Sequence, residues 1–91
     1  DVWIGQGARI MPGAAIGSGV IVGAGAVVTG TIADYTIVGG NPSHVIKARF
    51  DDATIAALLD IAWWHWPIEV IIAHEAAIVG ADIQALKRAA P

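Results

Sequence analysis

The sequence predicts a mainly β fold, a parallel β-helix followed by an α-helical tail. An apolar repeat with a period of six residues covers residues 4–33, and after Phe50 the apolar period becomes that of an α-helix. A period of six is typical of parallel β-helices. We expect residues 1–50 to form the β-helix coils and exit loop and residues 51–91 to form a helical extension, as one structural domain overall.

Five hexads run in register through the first part of the chain. Their first residues are all Ile or Val, and their fifth residues are Ala, Val or Ile. The aliphatic residue points inward and glycine supplies the positive φ of a tight corner. We therefore expect the five first residues to be buried in the assembled protein. They are Ile4, Ile10, Ile16, Val22 and Val28.

Three faces close a coil of eighteen residues, so residues eighteen apart are predicted to stack. The first two predicted columns are Ile4 with Val22 and Ile10 with Val28. The third column fails, because the residue eighteen positions after Ile16 is Asp34. We therefore expect the regular β-helix to end near Ala33.

The tail is predicted to be helical because its apolar residues recur at helical spacing. One stripe consists of Ile55, Leu58, Leu59, Ala62, Trp63 and Trp66. This stripe predicts a helix over about residues 52–65 that stops at Pro67. Pro67 also suits the first turn of a second helix that ends near Gly80, and Asp82 can cap a last short helix to Ala89.

Composition and charge exclude several classes of partner. A net charge of -3 and five Lys and Arg residues provide no basic stripe for nucleic acid. The absence of cysteine excludes disulfides, thiolate nucleophiles and sulfur-ligated metals. Residues 10–33 carry no charge, but their proline and glycines disfavour a membrane helix. We expect a cytoplasmic protein with no membrane contact.

The apolar content predicts an oligomer. Hydrophobic residues make up 56% of the chain and charged residues only 14%. A chain this short buries only about 60% of its unfolded surface. Apolar surface should therefore meet another subunit or a neighbouring segment.

Two short segments give the chain a specific resemblance to a known family. The sequence Val-Gly-Gly-Asn-Pro at residues 38–42 and the block Trp-Trp-His-Trp-Pro at residues 63–67 resemble the xenobiotic acetyltransferases, the hexapeptide-repeat class of chloramphenicol and streptogramin A acetyltransferases. Residues 1–5 and 10–13 are similar to the same family. The resemblance implies a left-handed β-helix and a homotrimer that binds acetyl-CoA between neighbouring β-helices. It also implies acetyl transfer to a hydroxyl group of a small, antibiotic-like acceptor.

The resemblance assigns three residues of the first part of the chain to ligands. Trp3 is expected in the wall of the acceptor pocket, although a core or interface aromatic is the alternative. Ala24 and Thr29 are expected to line the CoA groove, the alternative being ordinary corner residues. Gly25 and Gly30 depart from the pattern, because the family often has a basic residue at these places.

The exit loop carries the remaining cofactor candidates. Asn41 either bonds CoA or fixes its own loop, and Pro42 makes that turn rigid in both cases. Lys47 and Arg49 are the basic residues left to contact the CoA phosphates. The alternative for both is a solvated basic surface.

No catalytic residue and no metal site are assigned. In the family, a histidine on a loop from earlier coils is the general base, and we expect this chain to be a C-terminal half that lacks it. His44, His65 and His74 lie where the family does not place its base, and no histidine lies in the hexads to support a metal-dependent hydratase. The leading hypothesis is a CoA-dependent O-acetyltransferase fragment, and the alternative is a non-catalytic oligomerisation or scaffold module.

Overall fold

A computed structural model describes residues 1–91, and these divide into two compact units. The first unit, Asp1–Asp51, contains every strand, and the second unit, Asp52–Pro91, contains every helix. The strands of the hexads are only two residues long, so helical residues outnumber strand residues in the whole chain. The predicted parallel β-helix is therefore confirmed in the first unit, and the helical unit makes the whole chain partly helical.

The first unit is a parallel β-helix of three sheets. Its strands are β1 (Trp3–Ile4), β2 (Arg9–Ile10), β3 (Ala15–Ile16), β4 (Ile21–Val22), β5 (Val27–Val28), β6 (Thr31–Ile32), β7 (Thr36–Gly39) and β8 (His44–Ala48). Sheet A has the order β1-β4-β7-β8, sheet B pairs β2 with β5, and sheet C pairs β3 with β6. Every pairing is parallel except β7 with β8, which is antiparallel and ends sheet A.

The core consists of aliphatic side chains stacked between coils. Val22 is fully buried, with Ile4 as its partner on one side and Val38 on the other. The predicted pair of Ile10 and Val28 is also confirmed. Each fully buried valine contributes on the order of 1.5 to 3 kcal/mol. The buried cluster comprises Val20, Val22, Ala26, Val28, Ile32 and Val38.

The third column differs from its prediction. Ile16 pairs with Ile32 rather than lying over Asp34. The corner between β5 and β6 is only two residues long, whereas the corresponding corner of the first coil, residues 11–14, has four. The second coil is therefore sixteen residues long, since Val22 pairs with Val38. The β-helix continues through β7, and the predicted end near Ala33 is wrong.

The first coil is exposed in the single chain. The side chains of Ile4 and Ile10 are 50% and 40% exposed, because no coil covers that end, whereas Val22 and Val28 are fully buried. Trp3 and Met11 lie on the same coil and are also exposed. Burial of Ile4 and Ile10 was predicted for the assembled protein and stays a prediction.

Glycine serves the coils in two ways. The fourth place of the hexad has positive φ in the first four repeats, at Gly7, Gly13, Gly19 and Gly25. The second place instead needs the absence of a side chain, because a Cβ on Gly5 would lie 2.6 Å from the backbone nitrogen of Ala24. Positive φ therefore forms the corners, and glycine at the second place permits the close stacking of coils.

The second unit consists of short helices. They are α1 (Asp52–Ile61), a 3-10 helix (Trp63–His65), α2 (Ile68–Ala73), α3 (Glu75–Val79) and α4 (Ile83–Ala89). Leu58 of α1 and Leu86 of α4 are buried, and these two helices contact each other. None of the helices combines the length and the apolar character needed to cross a membrane.

Two helix boundaries differ from the predictions and one is confirmed. The helix predicted over residues 52–65 ends at Ile61, because Ala62 adopts a left-handed conformation with φ of 46°. The second predicted helix is interrupted at His74, whose φ of -119° separates α2 from α3. Asp82 caps α4 as predicted, since its Oδ1 accepts a hydrogen bond of 3.1 Å from the Ala85 backbone N–H.

The corner glycines give a matched stability test. A Cβ on Gly19 would overlap the ring of Tyr35, whereas a Cβ on Gly13 would meet open space. Both residues have positive φ. We expect Gly13→Ala to cost about 1 kcal/mol from backbone strain alone. Gly19→Ala should cost about 3 kcal/mol, because the ring must also move. Urea denaturation followed by circular dichroism measures both values, and equal losses would contradict the packing described for Tyr35.

Candidate functional site

One row of side chains on the outside of sheet A joins two of the predicted site residues. Trp3, Ile21, Ile37 and Lys47 are successive partners across the four strands of that sheet. Their neighbours Val22 and Val38 point into the core, so the four point outward. Neighbouring strands lie about 4.8 Å apart, which places Lys47 about 14 Å from Trp3. We call this row the outer column.

A second group of predicted residues lies at the corner between sheets A and B. There the Gly25 N–H donates to the Gln6 carbonyl oxygen at 2.9 Å, which stacks the corner of the second coil on that of the first. Below it, the Val27 N–H donates to the Gly40 oxygen and the Ser43 N–H donates to the Val27 oxygen, both at 2.9 Å. These bonds hold the loop of residues 40–43 against β5.

Ala24, Asn41 and Pro42 are exposed at this first corner. Two of the predicted cofactor residues thus come from the exit loop and one from the coil above it. A Cβ added to Gly25 would have no atom within 4 Å, so the backbone of this corner is accessible from outside. An extended ligand can therefore approach the main chain closely there.

Thr29 lies at the next corner, between sheets B and C. It is exposed and follows β5, so Ala24 and Thr29 stand at the two ends of sheet B. The outer face of this sheet carries Arg9 paired with Val27. One ligand lying across this face can reach both corners. Trp3 belongs to sheet A, whose outer face points in another direction.

The two basic residues predicted for the exit segment have different surroundings. Lys47 is exposed on β8 and available to a ligand. The Arg49 guanidinium donates from Nη1 to the Gly19 carbonyl oxygen at 2.8 Å. It also lies 5.6 Å from the ring centre of Tyr35 and 5.1 Å from that of Phe50. Arg49 therefore holds the exit segment to the second coil, and Lys47 is the more exposed of the two phosphate candidates.

Tyr35 is the centre of that contact. Its side chain is buried, and its hydroxyl group has no hydrogen-bond partner. Burial raises the pKa of the Tyr35 hydroxyl above its usual value, with a lowering contribution from Arg49 and a further raising contribution from Asp34. Asp34 is held in turn by the Ser18 backbone N–H, which donates to its Oδ1 at 2.7 Å.

The three histidines are scattered. His44 is exposed on β8, His65 is exposed in the 3-10 helix, and His74 is half-buried between α2 and α3. No group of three or more His, Cys, Asp or Glu side chains comes together in a way that could hold a metal ion.

The structure adds residues to the site that the sequence analysis missed. Ile21 and Ile37 complete the outer column between Trp3 and Lys47. Ile21 follows Trp3 by eighteen residues, so the repeat contained the signal for that position. Ile37 follows Ile21 by only sixteen, and the short corner hid it. Arg9 was also missed, although its place just before an inward isoleucine indicates an outward side chain.

Comparison with known proteins finds acetyltransferases of one family. The protein-family model for the bacterial transferase hexapeptide (six repeats) matches residues 1–30 of this chain. The chain is 47% identical over 88 residues to a chloramphenicol acetyltransferase of Agrobacterium fabrum. This match covers 97% of this chain and 42% of that protein. A virginiamycin A acetyltransferase of Staphylococcus aureus is 47% identical over 63 residues, 69% of this chain and 29% of that protein. The chain thus spans less than half the length of these relatives.

Solved structures agree with this relationship. A galactoside acetyltransferase in complex with coenzyme A matches with a TM-score of 0.53 and 40% identity, over 55% of this chain and 25% of that one. A maltose O-acetyltransferase from Clostridium difficile 630 matches with a TM-score of 0.53 and 50% identity, over 55% and 27% of the two chains. These neighbours imply a mainly β, left-handed β-helix for the repeats.

The unpaired Tyr35 hydroxyl predicts a pH effect. Because the folded-state pKa of Tyr35 is raised, the unfolded chain ionises first, and stability should fall as the pH rises above about 10. Tyr35→Phe keeps the ring beneath Gly19 and removes the unpaired hydroxyl. We expect this variant to be at least as stable as the parent at pH 7 and to lose less stability in alkali. Urea denaturation at pH 7 and pH 11 measures both effects, and a large loss of stability at pH 7 would show that the hydroxyl has a partner.

Proposed function

We propose that the chain belongs to the hexapeptide-repeat acetyltransferases and supplies the acetyl-CoA groove and subunit contacts of an enzyme that acetylates a hydroxyl group of a small acceptor. The observation that carries the proposal is the 47% identity that extends over 97% of the chain to a chloramphenicol acetyltransferase. Because the chain covers only 42% of that relative, the activity is assigned to the larger assembly to which such a segment contributes.

We propose that the groove is formed by two copies of the chain. Ala24 and Thr29 stand at the two ends of sheet B, and Asn41 and Pro42 lie beneath the first of these corners. Trp3 and Lys47 lie on sheet A, which faces another direction. A ligand that contacts all of these residues therefore needs the outer face of sheet B from one copy and the outer column from its neighbour.

The chemistry of the outer column suits an acyl-CoA. The row offers an indole and two isoleucines to the apolar part of the ligand, followed by an ammonium group about 14 Å from Trp3. Lys47 at that end attracts phosphate, and the indole at the other end forms one wall for the acceptor. Small residues at the corner let the extended arm of the ligand lie near the backbone of Ala24.

Acetyl-CoA supplies the activated acetyl group as a thioester. The acceptor hydroxyl must lose its proton as it attacks that carbonyl carbon, and a general base within about 3 Å is required. His44 lies on β8, and its ring adjoins Gly40 of the exit loop, at a position where the family does not place its base. His65 and His74 belong to the helical unit. In this proposal, the base is supplied by a part of the enzyme outside the 91 residues.

Cofactor binding can be tested separately from catalysis. Titration with acetyl-CoA should shift the amide resonances of Ala24, Thr29 and Asn41. Lys47→Ala should weaken the affinity about fivefold, a typical effect for one exposed charge on a phosphate. Lys87→Ala is the matched control, since Lys87 is exposed on α4. Equal affinities for the two variants would refute the role of Lys47.

Catalysis should be absent from the 91 residues alone. We expect no acetylation of chloramphenicol or virginiamycin A by this chain, because no residue of it provides the base. Chromatographic detection of the acetylated antibiotic checks this. Turnover would show that a histidine of the chain is the base, and single alanine substitutions of the three histidines would then identify it.

The apolar first coil and the shared groove lead us to propose a trimer. Trp3 is 64% exposed and Ile4 is 50% exposed in the single chain. Sedimentation equilibrium at micromolar concentration should give three times the mass of 9.3 kDa. A monodisperse monomer would contradict the two-copy groove. A trimer that does not bind acetyl-CoA would instead favour the scaffold function.

A further inference from the structure

The helical unit contains a cleft that the proposed acetyltransferase function does not use. The cleft has a volume of about 410 Å³. Its lining consists of Trp63, Ile71, Ile72, Glu75, Ile78 and Val79. All six residues belong to the 3-10 helix, α2 and α3, so the cleft lies within one compact unit. Its volume falls within the range of about 300 to 1,000 Å³ that is typical of small-molecule sites.

The walls of the cleft are apolar and partly open. Trp63, Ile71 and Ile78 are half-buried and form the deeper part. Ile72 and Val79 are 66% and 78% exposed at the edge. Exposed aliphatic side chains that line one cleft provide an apolar surface that a ligand can cover. The cleft therefore suits a ligand with an apolar body.

Glu75 is the one charged residue of the lining, and its carboxylate favours a cationic ligand. Glu75 is exposed, and no hydrogen bond or ion pair engages its carboxylate. The lining contains no Lys or Arg. An anionic ligand would meet only repulsion from this carboxylate, whereas a cation would pair with it.

The indole of Trp63 adds a second group suited to a cation. The electron-rich face of a tryptophan attracts ammonium groups, and quaternary ammonium ions in particular. Trp64 packs edge to face against Trp63, with ring centres 5.7 Å apart, which restricts the orientation of the Trp63 ring. An indole, a carboxylate and an apolar wall thus line the same cleft.

We propose that this cleft binds a lipophilic organic cation, a molecule with an apolar body and one amine or quaternary ammonium group. The apolar body covers Ile72 and Val79, and the cationic group lies between the Trp63 ring and the Glu75 carboxylate. None of the residues of the proposed acetyl-CoA groove lines the cleft. The proposal therefore stands or falls independently of the proposed function.

The test uses the full 91-residue chain and two probes of equal chain length, octyltrimethylammonium and octyl sulfonate, below their micellar concentrations. Titration is followed by the indole N–H resonance of Trp63 and the methyl resonances of Ile72 and Val79. We expect saturable shifts of these resonances with the ammonium probe and at least fivefold weaker binding of the sulfonate. Glu75→Gln should weaken binding of the ammonium probe on the order of threefold to fivefold.

Glu69→Gln is the matched control, because Glu69 is an exposed carboxylate of α2 that does not line the cleft. This variant should bind the ammonium probe as the parent does. Equal binding of the two probes, or equal effects of the two substitutions, would overturn the proposal. Shifts of the same resonances that depend on protein concentration without any probe would also overturn it, because the cleft would then be covered by a second copy of the chain.

Discussion

The first unit depends on the stacking of inward aliphatic side chains from one coil to the next. Val22 shows the pattern: its side chain lies between Ile4 and Val38, and its carbonyl oxygen accepts the Gly5 N–H at 2.8 Å. Strands of two residues have no stability of their own, so each needs a partner above and below. The middle coil has both and is buried. The first coil lacks a partner on one side and is exposed.

This constraint explains where a functional site can form. Inward positions are occupied by the core, and glycine with positive φ holds the fourth place of the first four hexads, so variable side chains are confined to the outer faces and the remaining corner places. Ala24, Thr29 and Asn41 occupy corners, and Trp3 and Lys47 occupy an outer face. The proposed site is therefore distributed over surfaces that a single coil cannot direct toward one point.

The repeat predicted the stacked pairs of the first two columns because those coils keep eighteen residues. It did not predict the pairing of Ile16 with Ile32. The corner between β5 and β6 is two residues shorter than the corresponding corner of the first coil, and this shortening leaves the hydrophobic pattern almost unchanged. The cap at Asp82 was predictable because it is a local feature, whereas the helix break at Ala62 was hidden within a continuous apolar stripe.

The candidate site was predictable residue by residue but not as an arrangement. The family resemblance selected Trp3 and Lys47 separately, and only the strand register places them in one row. The engagement of Arg49 was not predictable, because its hydrogen bond reaches Gly19, which lies thirty residues earlier in the sequence.

The distribution of free cations links cofactor binding to assembly. With Arg49 engaged and glycine at positions 25 and 30, the outward cations of the β-helix are Arg9 on sheet B and Lys47 on sheet A. In the proposed groove these two faces belong to different copies, so acetyl-CoA would bind the assembled form and not the monomer. Such a ligand stabilises the assembly by about 2.7 kcal/mol at one hundred times its dissociation constant.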